Sequence, residues 1–258
     1  MHSVILIELT LEKPKLVSQE IYLFRDPMKV YVGTSGWLYD WNEEATLDWY
    51  VEFSGLNAVE LNASFYRFPF PNQVKAWIRK SKDLRWSVKT HRSITHLRKL
   101  KPEALNTWEK FRERFKPLDD KIDFYLFQLP PNFSCKGENL SGIERFYVST
   151  GLGRRFAIEF RHSTCFNSGV AKWGEKLGLT IVSIDAPVAR WVVATNNVLY
   201  MRLHGSTDWY GYEYSKEELA EIVKQIIDLQ PEIVYVFFNN DHWMLENARL
   251  MKNLLEHR

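Results

Sequence analysis

The feature that most restricts the fold of this 258-residue chain is an alternation running along almost all of it. Eight short apolar runs, at 30–33, 58–62, 85–90, 123–128, 155–160, 180–184, 198–203 and 233–238, are interleaved with stretches of helical periodicity. The helical stretches fall at 44–53, 71–82, 102–115, 143–149, 169–177, 215–229 and 242–256. Ser215 followed by Glu217 and Glu218 is a helix start with acid in its first turn. Only 186–197 lacks a convincing helix. Such alternation calls for a parallel sheet with crossover helices. Eight strands predict a single (β/α)₈ TIM barrel, its crossover helix after the sixth strand degenerate. A doubly wound open sheet is the alternative, but it would use fewer strands.

Residues 1–27 stand apart as a short N-terminal extension, and 28–258 form the barrel domain. The extension carries the alternating SVILIELTL, then Pro14 and a second apolar patch, IYLF. It reads as an edge strand or hairpin over the barrel floor, or as a loosely tethered segment.

Side chains alternate across a strand. In five of the runs one face is apolar and the other turns charged toward its C-terminal end. Val59 and Leu61 oppose Glu60 and Asn62; Trp86 and Val88 oppose Ser87, Lys89 and His91. Phe156, Ile158 and Phe160 oppose Glu159 and Arg161; Val182 and Ile184 oppose Ser183 and Asp185; Leu199, Met201 and Leu203 oppose Tyr200, Arg202 and His204. Taking the apolar faces as covered by helices points the charged faces inward. Unpaired charges are too costly for a dry barrel centre, but they suit the open C-terminal mouth, where barrel enzymes place their sites. The expected mouth therefore holds Glu60, Asn62, Lys89, His91, Gln128, Glu159, Arg161, Asp185, Arg202, His204, Asn239 and Asp241. His91, His162, His204 and His242 fall at strand ends, with His96 close by, and a cluster of imidazoles suits proton transfer. The opposing reading is an ion network, such as Glu159 with Arg202, that merely closes the barrel.

Composition excludes several classes. Lys and Arg number 34 against 32 Asp and Glu, so no global basic surface awaits nucleic acid. Cys135 and Cys165 are 30 apart with no CxxC, which argues against a zinc ribbon or redox dithiol and against a disulfide scaffold, as in a reducing cytoplasm. No apolar run is long enough to span a membrane. The N-terminus lacks a basic region and cleavage site, so it is a poor signal peptide. No P-loop, GxGxxG or GxSxG motif is present.

Seven blocks carry a family resemblance: GTSGW at 33–37, ELNASFYRFP at 60–69, WSVKTHRSITH at 86–96, LFQLPPNF at 126–133, AIEFRH at 157–162, YMRLHG at 200–205 and FFNNDH at 237–242. In order and spacing they resemble the YecE-like family, domain of unknown function 72, over roughly 29–255. The resemblance implies a TIM barrel and leaves the activity open. It adds Ser35, Trp37, Tyr66 and Asn240 to the candidate site. The N-terminal extension departs from the family pattern, as do Cys165 and Phe166 where a Pro-Ser-Trp-like run is expected.

Three chemistries compete. In the first, an enzyme holds a small phosphate- or carboxylate-bearing molecule with Lys89, Arg161 and Arg202, while Glu159, His204 and Asp241 do acid–base work. In the second, Glu159, Asp185, His204 and Asp241 hold a divalent metal, resembling xylose-isomerase-like isomerases or a phosphodiesterase, against which the two arginines stand. In the third, mouth aromatics such as Trp37, Tyr39, Trp41, Tyr66, Trp209 and Trp243 stack a nucleotide or single-stranded nucleic acid. The first is preferred, with no cofactor expected, a divalent metal as the alternative, no membrane partner and a cytoplasmic location.

Overall fold

In the computed structural model, residues 27–257 are described. The barrel strands are β1 (Lys29–Thr34), β2 (Ala58–Leu61), β3 (Arg85–Lys89), β4 (Ile122–Gln128), β5 (Phe156–Glu159) and β6 (Thr180–Ala186). A short β7 (Ala189–Trp191) precedes β8 (Val198–Leu203) and β9 (Ile233–Phe238). All except β7 pair in parallel with their neighbours, and the β5–β6 pairing closes the sheet into an eight-stranded barrel. The expectation for 1–27 lies outside the described residues except at Pro27.

Helices α1 (Leu47–Phe53), α2 (Pro71–Lys80), α3 (Leu105–Phe115), α4 (Glu138–Thr150), α5 (Ser168–Leu177), α6 (Lys216–Asp228) and α7 (Met244–Glu256) wrap the outside. Their starts are chemically marked. Thr46 accepts from the Trp49 amide at the head of α1, and Asn167 from the Val170 amide at the head of α5. Ser215 and Glu218 satisfy each other's backbone amides in the reciprocal box that opens α6.

The strands sort their side chains into two apolar layers. Val59, Trp86, Val88, Phe127, Ile158 and Leu199 pack outward under the helices. Phe124, Leu126, Val182, Ile184, Tyr200 and Phe237 fill the barrel. The barrel is tightest at Gly33, where an added Cβ would lie 2.2 Å from the Ala58 carbonyl oxygen, so only glycine lets β1 and β2 approach this closely.

The crossover from β6 to β8 holds no helix. It is a hairpin: β7 pairs antiparallel with the upper end of β6, where β5 has stopped pairing. This corrects the facing of β6. Val182 and Ile184 point inward, while Ser183 and Asp185 point out toward the connecting segment. The physical reason lies in what covers the strand. A helix would demand an apolar outer face, whereas this segment offers polar partners. Ser183 donates to the Val193 carbonyl at 2.8 Å and accepts from its amide at 2.9 Å. Asp185 accepts from Arg190 at 2.9 Å and from Ser206 at 2.7 Å.

The two cysteines are also corrected: Cys135 and Cys165 form a disulfide, with Cα atoms 5.1 Å apart. It ties the loop after β4 to the loop after β5, both at the C-terminal face. Spacing in sequence carries no information on this, because barrel closure brings successive loops side by side.

Candidate functional site

At the C-terminal end of the barrel, strand alternation brings five charged side chains into one buried cluster. Glu60 projects from β2, Lys89 from β3, Glu159 from β5, Arg161 from just beyond it and Arg202 from β8. Arg202 is fully buried and forked: Nη2 lies 2.6 Å from Glu60 Oε1, and Nη1 lies 2.5 Å from Glu159 Oε2. The other oxygen of Glu60 accepts from the Tyr200 hydroxyl at 2.6 Å, which in turn meets Ser87 at 2.6 Å. Ser35 donates to Glu60 at 2.8 Å. Arg161 pairs through Nε with the second oxygen of Glu159 and lies 4.6 Å above the Trp209 ring.

These contacts set the charge states. Burial alone would push the Glu159 carboxyl up, but Arg161 and Arg202 outweigh it and hold it well below the ordinary range. His204 is driven the other way, well below its usual value, by burial and then by Arg161 and Arg202. It is therefore a neutral imidazole. Arg161 Nη2 lies 2.9 Å from its Nε2, and since a guanidinium only donates, Nε2 accepts. On the other side of the ring, Nδ1 lies 3.1 Å from the Asn239 side-chain amide nitrogen.

Lys89 behaves differently. Burial, then the Arg202 charge, pushes it down to about 7, with Arg161 adding and Glu159 and Glu60 opposing. Among the described residues its Nζ has no hydrogen-bond or ion-pair partner, and it sits 4.5 Å over the Phe65 ring. Arg161 Nη1 likewise has no partner among the described residues.

Beside this network, between the loops after β1 and β2, lies a cavity of about 650 Å³. Ser35, Trp37, Tyr39, Asn62, Tyr66 and Trp77 line it. Asn62 Oδ1 is buried there without a partner. Trp37 is a wall, locked edge-on between Trp77 and Trp86. Tyr66 stands exposed at the rim.

Several expected residues lie elsewhere. Asp185 faces out of the barrel. His91 accepts the Ser93 amide at 3.2 Å, and His162 accepts the Thr164 amide at 3.2 Å, so both cap the turns that follow their strands. His242 pairs with Asp40 on the surface. Asn240 braces the loop after β9, donating to the Tyr212 carbonyl at 2.7 Å and to Asn247 at 2.8 Å. Asp241 stands at the rim in left-handed backbone with φ 48°, its carboxyl pushed up by burial and by Asp40 against the opposing pull of His242. Gln128 is half-buried at the end of β4. The sequence reading missed Phe65, Ser87 and Tyr200 as partners of the network. The inward register of Ser87 and Tyr200 was the available signal.

The four residues considered for a metal do not fit one. Asp185 is on the wrong side of its strand, both Glu159 oxygens face guanidinium groups, and His204 Nε2 faces a third donor. Among the described residues no group of three or more His, Cys, Asp and Glu is placed to hold an ion. Nor is any described helix long and apolar enough to cross a membrane.

The architecture defines a TIM-barrel protein with its polar cluster at the carboxyl ends of the strands. The chain belongs to the family described as Protein of unknown function DUF72, which matches residues 31–258. UPF0759 protein YunF of Bacillus subtilis (strain 168) is 24% identical over 270 residues, spanning 88% of this chain and 95% of that protein. A DUF72 family protein of Thermotoga maritima MSB8 superposes with TM-score 0.77 at 28% identity, covering 88% of this chain and 99% of its own. D-psicose 3-epimerase from Clostridium cellulolyticum H10 shares the fold alone, with TM-score 0.55 at 13% identity over 89% of this chain and 98% of that one.

Proposed function

We propose that this protein is an enzyme acting on a small phosphate- or carboxylate-bearing molecule at the C-terminal face of its barrel. The observation that carries the reading is the state of the cations. Arg202 is spent on Glu60 and Glu159, whereas Lys89 Nζ and Arg161 Nη1 have no hydrogen-bond or ion-pair partner among the described residues of the mouth. An uncommitted guanidinium edge favours an oxyanion. Asn62 Oδ1 supplies an acceptor for a ligand hydroxyl. Glu159, held ionised, and His204, held neutral, orient Arg161; Lys89, pushed down to about 7, is a group free to exchange protons near neutrality.

The aromatic rings of the mouth favour this reading over stacked nucleic acid. Arg161 already occupies one face of the Trp209 ring at 4.6 Å, and Tyr39 stacks on Trp41 at 5.7 Å. The test is a thermal-shift panel of anionic compounds and their neutral counterparts. Anionic members should raise the melting temperature of the wild type but not of Arg161→Met. Equal response to neutral members would contradict the proposal.

A further inference from the structure

We infer that Lys89 is a nucleophile that captures the carbonyl group of an anionic aldehyde or ketone as a covalent imine. The inference rests on the anion-site reading and narrows its substrate to carbonyl compounds.

The geometry supports it from three sides. First, Lys89 is only 7% exposed at the mouth, and its Nζ lacks any hydrogen-bond or ion-pair partner among the described residues. It rests on an apolar ring face, Phe65, which is itself met edge-on by His96 at 4.8 Å. Second, Lys89 stands next to two residues that line the cavity. Leu61 is in register with Val88, so the residues that follow, Asn62 and Lys89, stand side by side. Asn62 and Ser64 both line the cavity, and Ser64 donates to the Lys89 carbonyl at 2.6 Å. Third, the anion-binding task does not need Lys89, because Arg161 Nη1 is available for it.

The charged and titratable groups facing Lys89 are Arg202 from β8, Glu159 and Arg161 from the end of β5, Glu60 from β2 and His96 from the turn after β3. Burial and these cations leave a large share of Lys89 as the free amine at neutral pH, the form that attacks carbonyl carbon. In the step, the Nζ lone pair bonds to the carbonyl carbon and the C=O electron pair moves to oxygen. Both amine protons pass to that oxygen, which departs as water, leaving C=N. No oxidant or reductant takes part.

The experiment uses pyruvate and its neutral counterpart acetone with sodium cyanoborohydride. The hydride and a proton reduce any imine to a stable secondary amine, which peptide mass mapping locates. The full-length protein should gain one pyruvate adduct, on Lys89. Relative to the same reactions on Nα-acetyl-lysine, pyruvate should outpace acetone by about 10-fold. The labelling rate should rise with pH around neutrality rather than near the ordinary lysine range. Arg161→Met should still be labelled on Lys89 but lose the preference for pyruvate. Lys89→Met, checked by circular dichroism to be folded, should gain no adduct.

Labelling scattered over surface lysines at the acetyl-lysine rate would overturn the inference, as would an unlabelled Lys89. If Lys89 stays unlabelled while the protein still broadens the phosphorus NMR line of inorganic phosphate, the imine fails and the anion site stands. If neither occurs, both fail.

Discussion

The guanidinium of Arg202 meets the carboxylate of Glu60 at 2.6 Å with neither side chain exposed, and the same guanidinium grips Glu159 from its other edge. The pairing ties β2, β5 and β8 together at the mouth. Removing Arg202 leaves two buried carboxylates without their shared cation. Arg202→Met should therefore destabilise the protein by about 3–5 kcal/mol, read by urea denaturation. Adding Glu60→Gln to that variant should recover part of the loss. A wild-type-like midpoint for Arg202→Met would contradict the network.

The charge states of Glu159 and His204 predict a stability profile with two steps. His204 is held neutral in the folded protein but protonates on unfolding, so the unfolded state binds more protons below about pH 6.5 and stability falls with pH there. Glu159 is held ionised when folded, so its contribution is full above about pH 4.3 and is lost as pH falls through its lower folded value. His91 and His96, also pushed down by burial first, share the upper step. His204→Gln should shrink the upper step and Glu159→Gln the lower one, measured by urea midpoints from neutral to acidic pH. A flat wild-type profile between neutrality and pH ~5 would refute the assignment.

The Cys135–Cys165 disulfide joins two mouth loops across 30 residues of sequence. Closing a loop of that size constrains the unfolded chain by about 2–4 kcal/mol. The double variant C135A/C165A should lose that much stability, and thiol titration of the denatured, unreduced wild type should find no free thiol. A stoichiometric pair of thiols would contradict the bridge.

Asp185 separates the two sides of β6. Because it braces Arg190 and Ser206 outside the barrel, Asp185→Asn should cost about 1–3 kcal/mol of stability and leave anion binding unchanged. Loss of binding with stability intact would return it to the site.

Much of this was legible in the sequence because the polar side of each barrel strand changes character abruptly. Glu60, Lys89, Glu159, Arg161, Arg202 and His204 all follow from period-two alternation with a charged C-terminal end. Where that contrast fails, so does the reading. TIVSIDA has apolar residues on one face, and on the other only Ile181 meets a helix, at Gly174 of α5, so the facing of its upper end depends on a non-periodic partner segment. β7 is three residues long, too short to signal itself. His91 and His162 sit two residues before a Ser or Thr whose backbone they cap, a local role that looks the same in sequence as a catalytic one. The disulfide depends on which loops the closed barrel brings together, and the spacing of the two cysteines does not encode that.

The central claim is that the uncommitted guanidinium edge of Arg161 at the barrel mouth binds an oxyanion, and phosphorus NMR of inorganic phosphate tests it most directly. The full-length protein should broaden the phosphate line saturably, Arg161→Met should abolish the effect, and Asp185→Asn should retain it. An unbroadened line with the wild type, or equal broadening by Arg161→Met, would contradict the account.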